Sequence, residues 1–291
     1  MTAKGMTANQ RRKAFRAILA GQACVHPASV FDAVSGRIAA DLGYETAILG
    51  GSVASLAVLG APDHIILTLT EFADLIRRIT RGGAPPLLVD ADHGYGNALS
   101  AMRTVEELEA AGVAALTLED TLLPRPYGPD RPALLPLEEG LGKLRAALAA
   151  RTDPDLVIAA RTSALSVTGA EDAVARARAY AEAGADAIFV TGVTALDQLR
   201  ALHAATGLPI LVGNAKAGLG GAAAFAECGA RIALQGHATY PAAMQAVHDT
   251  LKALREGAAP RDLKGLPDAA ATRRWQHDEH WDAAIRDFLG G

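Results

Sequence analysis

One phrase recurs along most of the chain: an alanine-rich helical stretch closes on a glycine and runs straight into a short apolar strand. RIAADLGYETAILGG, LEAAGVAALTLED, YAEAGADAIFVTG and FAECGARIALQG share it, with Gly43, Gly112, Gly184 and Gly229 standing where a helix end calls for a positive φ. ATGLPILVGN is a proline-bearing variant. PPLLVDADHG and PDLVIAART are apolar runs that start after proline and end in charge, as strands buried on both faces do. With ACVHPASVFD these give eight strand candidates, near residues 23–31, 45–51, 86–92, 115–120, 156–162, 187–192, 209–214 and 231–236, each followed by helical sequence. Such a series predicts an α/β fold, a (β/α)8 barrel of the TIM kind. An open doubly wound sheet is the rival, but it would carry a glycine-rich nucleotide loop after its first strand. The nearest match, Gly94-Tyr95-Gly96-Asn97-Ala98-Leu99, lacks the third glycine and follows the third strand. Gly218-Leu219-Gly220-Gly221 reads as a plain loop leading into a helix or as an anion cradle.

The barrel is expected to take residues 1–257, ending with the helical stretch Pro241 to Gly257. Residues 258–291 then hold a Gly/Pro-bearing linker, GAAPRDLKGLPD, and one last helix from about Ala269 to Leu289 with Trp275, Trp281, Ile285 and Phe288. Apolar residues on a terminal helix must pack somewhere, on their own barrel or on a neighbouring subunit, so an oligomer is expected. His277 and His280, at i and i+3 on that helix, read as a solvated or interface face ahead of a metal site.

Composition narrows the partners. With 50% hydrophobic and 21% charged residues among 291, the chain can bury a sizeable core, which excludes a disordered protein. Lys+Arg 28 against Asp+Glu 32 leaves a formal charge of −4 without long basic runs, arguing against nucleic acid or a polybasic membrane anchor and for a small-molecule partner. Cys24 and Cys228 cannot build a disulfide framework, which suits a reducing compartment. The start has no sustained apolar signal region, and the run from Thr46 to Pro62 is too short and too broken by glycine and serine to span a bilayer. A cytoplasmic location is expected.

In a barrel of this kind the chemistry sits at the C-terminal strand ends. Here they read Gly50-Gly51-Ser52, Asp90-Ala91-Asp92-His93, Glu119-Asp120, Arg161-Thr162, Thr191-Gly192, Gly213-Asn214 and Gly236-His237. Asp90 and Asp92, two apart on an extended segment, would point to one side, and carboxylates that close need a cation or a proton between them. With Glu119 on the next strand and only oxygen ligands, Mg²⁺ (or Mn²⁺) suits the set better than Zn²⁺. The plainer reading has the two aspartates capping the next helix or pairing with arginine. Arg161, after the apolar run Leu156 to Ala160, is placed to grip a substrate carboxylate by two parallel hydrogen bonds or to form a structural ion pair with the acids. Gly50-Gly51-Ser52-Val53 offers backbone N–H groups and one hydroxyl to a carboxylate or oxyanion, or is a simple turn.

DADHGYGN (Asp90 to Asn97), LED (Leu118 to Asp120), the strand-end Arg161 and GGSVAS (Gly50 to Ser55) resemble the signature of the isocitrate lyase/phosphoenolpyruvate mutase superfamily, from ASVFDAVSGRIAADLG to LQGHATY. The resemblance implies a Mg²⁺-dependent barrel that stabilises the enolate of a 2-oxo acid, in a homotetramer whose last helix is exchanged with a neighbour. It implies Asp90 as direct metal ligand, Asp92 and Glu119 as holders of metal-bound water, and Ser52, Val53 and Arg161 as substrate-binding groups. The superfamily's carbon–carbon lyases carry K-[KR]-C-G-H after the fourth strand, where this chain has TLLPRPYGPDRPALLP without cysteine. The lysine and asparagine of the phosphonate mutases are also missing, Thr121 standing in the lysine's place.

The branch resembled most is the oxaloacetate decarboxylases, through TLLP after LED, through HGYGN and through His237 after the eighth strand. This implies decarboxylation of oxaloacetate or a 3-alkyl analogue to pyruvate and CO₂, with Arg161 and His237 as catalytic groups, His237 meeting the departing carboxylate or helping deliver a proton. The segments around Asp63 and Tyr127 would close as lids. Gly213-Asn214 stands where relatives have a tyrosine. Phosphonopyruvate C–P hydrolysis or retro-aldol cleavage is the alternative reaction, and a non-catalytic dicarboxylate-binding protein the alternative class.

Overall fold

The described strands are mainly apolar on both faces because one face meets helices and the other meets the inside of a closed ring. In the computed structural model, which describes residues 5–128 and 131–290, the strands are β1 (Ala28–Ser29), β2 (Ala47–Leu49), β3 (Leu87–Asp90), β4 (Ala115–Glu119), β5 (Val157–Thr162), β6 (Ala187–Val190), β7 (Ile210–Val212) and β8 (Ala230–Ala233). All neighbours are parallel and follow sequence order from β1 to β8. A parallel bridge between Val25 and Ile232 closes the ring, with Val25 N–H donating to Arg231 O at 2.9 Å and Ala233 N–H to Val25 O at 3.0 Å. The fold is the (β/α)8 barrel that the repeating phrase predicts. The strands are shorter than the apolar runs suggest. In the first of them, Pro27, which has no N–H to donate, separates the Val25 bridge from the Ala28–Ser29 pairing.

The helices of this unit are α1 (Ala8–Ala20), α2 (Ala33–Asp41), α3 (Gly51–Leu59), α4 (Leu69–Arg81), α5 (Ala98–Ala110), α6 (Leu137–Ala150), α7 (Ala164–Val167), α8 (Ala170–Glu182), α9 (Leu196–Thr206) and α10 (Gly221–Glu227). Gly43, Gly112, Gly184 and Gly229 all take φ between 79° and 103°, the left-handed turn with which the helix hands over to the strand.

Residues of one parity fill the interior: Ile48, Leu88, Ala115, Val157, Ala159, Ala187, Phe189, Leu211 and Ile232 form one buried cluster with Phe15 of α1. Phe15 is fully buried and plugs the end of the ring at the strand starts. Beside it Arg12 donates to Val113 O (3.1 Å), Glu109 O (2.6 Å) and Asp153 Oδ2 (2.6 Å), and Arg16 to Asp155 O (2.9 Å) and Asp186 Oδ1 (3.0 Å). With that floor sealed, the open mouth lies at the other end.

A second compact unit starts at His237. It holds α11 (Thr239–Arg255), α12 (Ala269–Gln276) and α13 (Asp278–Leu289). The single terminal helix expected from Ala269 to Leu289 is therefore two, broken at His277, whose φ of 61° is left-handed. Arg273 near the end of α12 bonds Asp282 at 2.9 Å and pairs with Asp278 at 3.5 Å across the break, while Asp278 and Glu279 suit the positive N-terminal end of a new helix. His277 and His280 do not share one helix face.

Candidate active site at the barrel mouth

Strand parity decides which side chains reach the mouth. Asp90 follows Leu88, Thr117 and Glu119 follow Ala115, and Arg161 follows Ala159, each in steps of two along an inward-facing row, so these four form the polar top layer of the interior. The pairing sets Asp90 opposite Thr117 and Glu119 opposite Arg161. Arg161 Nη1 lies 2.5 Å from Asp90 Oδ2 and Nη2 lies 3.3 Å from Glu119 Oε2. Thr117 Oγ1 donates to Asp90 Oδ1 at 3.0 Å and Thr121 Oγ1 to Glu119 Oε2 at 2.8 Å. The Arg161 guanidinium sits 5.6 Å from the Phe189 ring centre.

Asp92 reaches this group by a different route from the one the sequence suggests. Strand β3 ends at Asp90, and Asp92 has φ of 46°, so the two aspartates are not on one extended segment. Asp92 opens a tight turn in which Gly94, Tyr95 and Gly96 are also left of the ordinary φ range, and its N–H donates to Asp90 Oδ1 at 3.3 Å. The turn carries the Asp92 carboxylate under the first turn of α3, where a Cβ on Gly51 would stand only 2.7 Å from Asp92 Oδ1. That contact explains the second glycine of Gly50-Gly51-Ser52. Gly50 makes no side-chain cap, so the N–H groups of Gly51, Ser52 and Val53 have no partner within their own helix and form a positive end suited to an anion.

Burial and like charge set the electrostatics. Desolvation, then the charges of Asp90, Asp63 and Glu119, push the Asp92 carboxyl up to about 9 against the pull of Arg161. Desolvation also raises Glu119. Asp63 is raised by desolvation and by Asp90, which places it beside the same group. For Arg161 burial disfavours the charge, but Asp90 and Glu119 outweigh it and hold the guanidinium protonated. Burial drops His93 to about 4, so that ring is neutral.

Four carboxylates facing one guanidinium would be relieved by a cation, and an all-oxygen donor set suits a hard one such as Mg²⁺ or Mn²⁺. Among the described residues no three His, Cys, Asp or Glu side chains close into a ready metal cage. Tyr127 is fully exposed. His237 opens the second unit, and Gly213 is buried against Phe189, whose ring a Cβ there would meet at 2.9 Å. Sequence reasoning passed over Thr117 and Phe189, although each lies two residues from an inward-facing neighbour and strand parity alone could have found them.

A closed parallel ring with its polar groups gathered at the C-terminal strand ends is an enzyme-type barrel. The phosphoenolpyruvate phosphomutase family model matches residues 15–255, and the chain belongs to the phosphoenolpyruvate mutase/isocitrate lyase superfamily. It is 55% identical over 284 residues to an oxaloacetate decarboxylase of Bradyrhizobium sp. strain BTAi1, covering 98% of this chain and 99% of that one. It is 58% identical over 264 residues to an oxaloacetate decarboxylase of Rhodopseudomonas palustris strain TIE-1, covering 91% and 92%. Among solved structures, oxaloacetate acetylhydrolase with the inhibitor 3,3-difluorooxalacetate superposes with a TM-score of 0.82 at 28% identity, covering 97% of both chains. Phosphonopyruvate hydrolase with oxalate and Mg²⁺ gives 0.84 at 29%, covering 98% of this chain and all of that one.

Proposed function

We propose that the chain is a lyase that decarboxylates oxaloacetate, or a 3-alkyl analogue, to pyruvate and CO₂ with the help of Mg²⁺. The observation that carries this reading is a half-buried Arg161 bound to Asp90 and Glu119 at the mouth of a barrel 55% identical, nearly end to end, to an oxaloacetate decarboxylase. Asp90 would hold the ion directly and Asp92 and Glu119 through water, and the bound ion would draw off charge gathering on the 2-oxo oxygen.

The protein's own groups do the rest. Arg161 binds the oxo-acid end through its fork, and the N-terminal turn of α3, with Ser52 and Val53, binds the adjoining carboxylate. As the C3–C4 bond breaks, its electron pair moves into the C2–C3 bond and CO₂ leaves, so no strong base is required to start the reaction. A proton then returns to C3, with His237 contacting the departing carboxylate or supplying that proton. Neither cysteine is needed. Asp63 and Tyr127 belong to segments that close over the substrate and exclude water.

The chain works as a cytoplasmic homotetramer in this reading, with residues 1–257 as catalytic barrel and 258–291 as linker and terminal helices set against a neighbouring subunit. The exposed apolar residues Trp281, Ile285 and Phe288 of α13 support that packing. No helix among the described residues is long and apolar enough to cross a membrane. A substrate panel tests the reaction: oxaloacetate, phosphonopyruvate and 2,3-dialkylmalates are offered with Mg²⁺. Turnover of oxaloacetate above its spontaneous background supports the proposal; turnover of phosphonopyruvate or a malate alone assigns the mouth to another reaction of the superfamily.

A further inference from the structure

The outer side of the same two strand ends carries a second polar cluster that the proposed reaction does not use. Side chains alternate along extended backbone, so Glu119 and Arg161 face the mouth while the next residues, Asp120 and Thr162, face the helices. Asp120 is 2% exposed. Its Oδ2 accepts from Tyr180 Oη (2.8 Å), Thr162 Oγ1 (3.0 Å) and Arg176 Nη1 (3.1 Å). Arg176 Nη1 also donates to Leu135 O at 3.1 Å, and Nε to Asp172 at 2.8 Å. Asp172, Arg176 and Tyr180 are spaced by four on α8 and so share one face of it. On α6 Gly140 leaves room for the phenol, since a Cβ there would lie 2.7 Å from Tyr180 Oη.

The backbone of Asp120 completes the junction. Its N–H donates to Arg161 O at 3.2 Å and its carbonyl accepts from Leu135 N–H at 2.8 Å, while Leu122 N–H donates to Ala133 O at 2.8 Å. One residue therefore joins the end of β4, the end of β5 and the returning end of the chain that follows β4. Stability alone does not call for an ionic cluster here, because a buried ion pair is seldom worth more than well-packed apolar side chains of the same volume. What the cluster adds is direction: three donors converging on one oxygen fix the strand end against twisting.

We propose that Asp120, Arg176 and Tyr180 form a positioning unit that sets the angle at which β4 and β5 present Glu119 and Arg161 and seats the Ala133–Leu135 segment. The inference rests on the mouth being the active site. Arg176→Lys keeps the charge but loses the fork that spans Asp120, Leu135 and Asp172, and Tyr180→Phe removes a single hydroxyl.

Both variants are measured for kcat and KM on oxaloacetate, for thermal unfolding, and for amide hydrogen exchange in peptides covering residues 121–123 and 133–136. Arg176→Lys is expected to stay folded, to lose about tenfold in kcat with KM nearly unchanged, and to exchange faster at the Leu122 and Leu135 amides. Tyr180→Phe shows the same changes on a smaller scale. Wild-type kinetics in the folded variants overturn the proposal, whether or not exchange accelerates, since the cluster is then purely structural. Should Arg176→Lys fail to fold, Tyr180→Phe carries both readouts. Should the wild-type protein leave oxaloacetate untouched, the functional reading fails and exchange decides the seating of the Ala133–Leu135 segment alone: unchanged exchange at Leu122 and Leu135 overturns it and faster exchange supports that part.

Discussion

Arg161 Nη1 lies 2.5 Å from Asp90 Oδ2, and the same guanidinium reaches Glu119 on the strand between them at 3.3 Å. One cation thus holds two acids on β3 and β4. Arg161→Ala leaves Asp90 and Glu119 facing each other without a counter-charge; it is expected to abolish turnover and to destabilise the fold by about 3 kcal/mol. Arg161→Lys restores charge without the fork and should still lose about 100-fold in kcat/KM. Steady-state kinetics beside urea unfolding of both variants separate the two effects.

A single methyl at residue 51 gives a sharper probe of geometry. Gly51 has ordinary helical backbone in α3, so alanine is tolerated by the helix, yet its Cβ would stand 2.7 Å from Asp92 Oδ1. Gly51→Ala is expected to leave the melting temperature within a few degrees, displace the Asp92 carboxylate and lower kcat by about tenfold or more. A variant with wild-type kcat would show that the position of Asp92 does not matter to the reaction.

Much of this was legible in the sequence for one reason: the helix–glycine–strand phrase repeats, and each repeat ends in a residue whose polarity stands out against the apolar run before it. Asp90, Glu119 and Arg161 could be read that way. The turn holding Asp92 could not, because the left-handed backbone at Asp92 and Tyr95 arises from tertiary contacts and glycine marks only Gly94 and Gly96. The break at His277 was likewise hidden, since no proline or glycine announces it and ion pairs from Arg273 span it. The outward layer of Asp120 and Thr162 was overshadowed by its neighbours, as a one-residue step reverses the face.

Neither cysteine should matter to turnover. Cys24 and Cys228 are buried, and desolvation pushes the Cys24 thiol up to about 11, so it is an unreactive thiol at neutral pH. The double variant Cys24→Ala/Cys228→Ala is expected to keep kcat and KM while losing about 1 kcal/mol of stability per site. A large loss of kcat in a folded double variant would point to cysteine acid–base chemistry.

At the sealed end of the barrel Asp153 should govern part of the acid stability. Burial opposes its ionisation, but hydrogen bonds from Arg12 and Asn9, the Asp155 N–H and the Arg12 charge outweigh it and hold the carboxyl at about 2, below its ordinary 3.8. A carboxyl lowered by folding stabilises the fold wherever it is ionised, so the gain is complete above about pH 4 and fades as the pH falls towards 2. Asp153→Asn is expected to melt lower than wild type at pH 6, with the gap narrowing across that interval. Melting curves from pH 6 down to pH 2 check it, and a constant gap would refute the linkage.

If the acids at the mouth bind a divalent cation for decarboxylation, pyruvate formation from oxaloacetate will depend on that cation and on Asp90. It is followed above the spontaneous metal-catalysed rate, with Mg²⁺ and with chelator, for wild type and Asp90→Ala. Enzyme-dependent pyruvate is expected with Mg²⁺ and is expected to disappear with chelator and in the folded variant. Turnover that survives the chelator, or that Asp90→Ala retains, would contradict it.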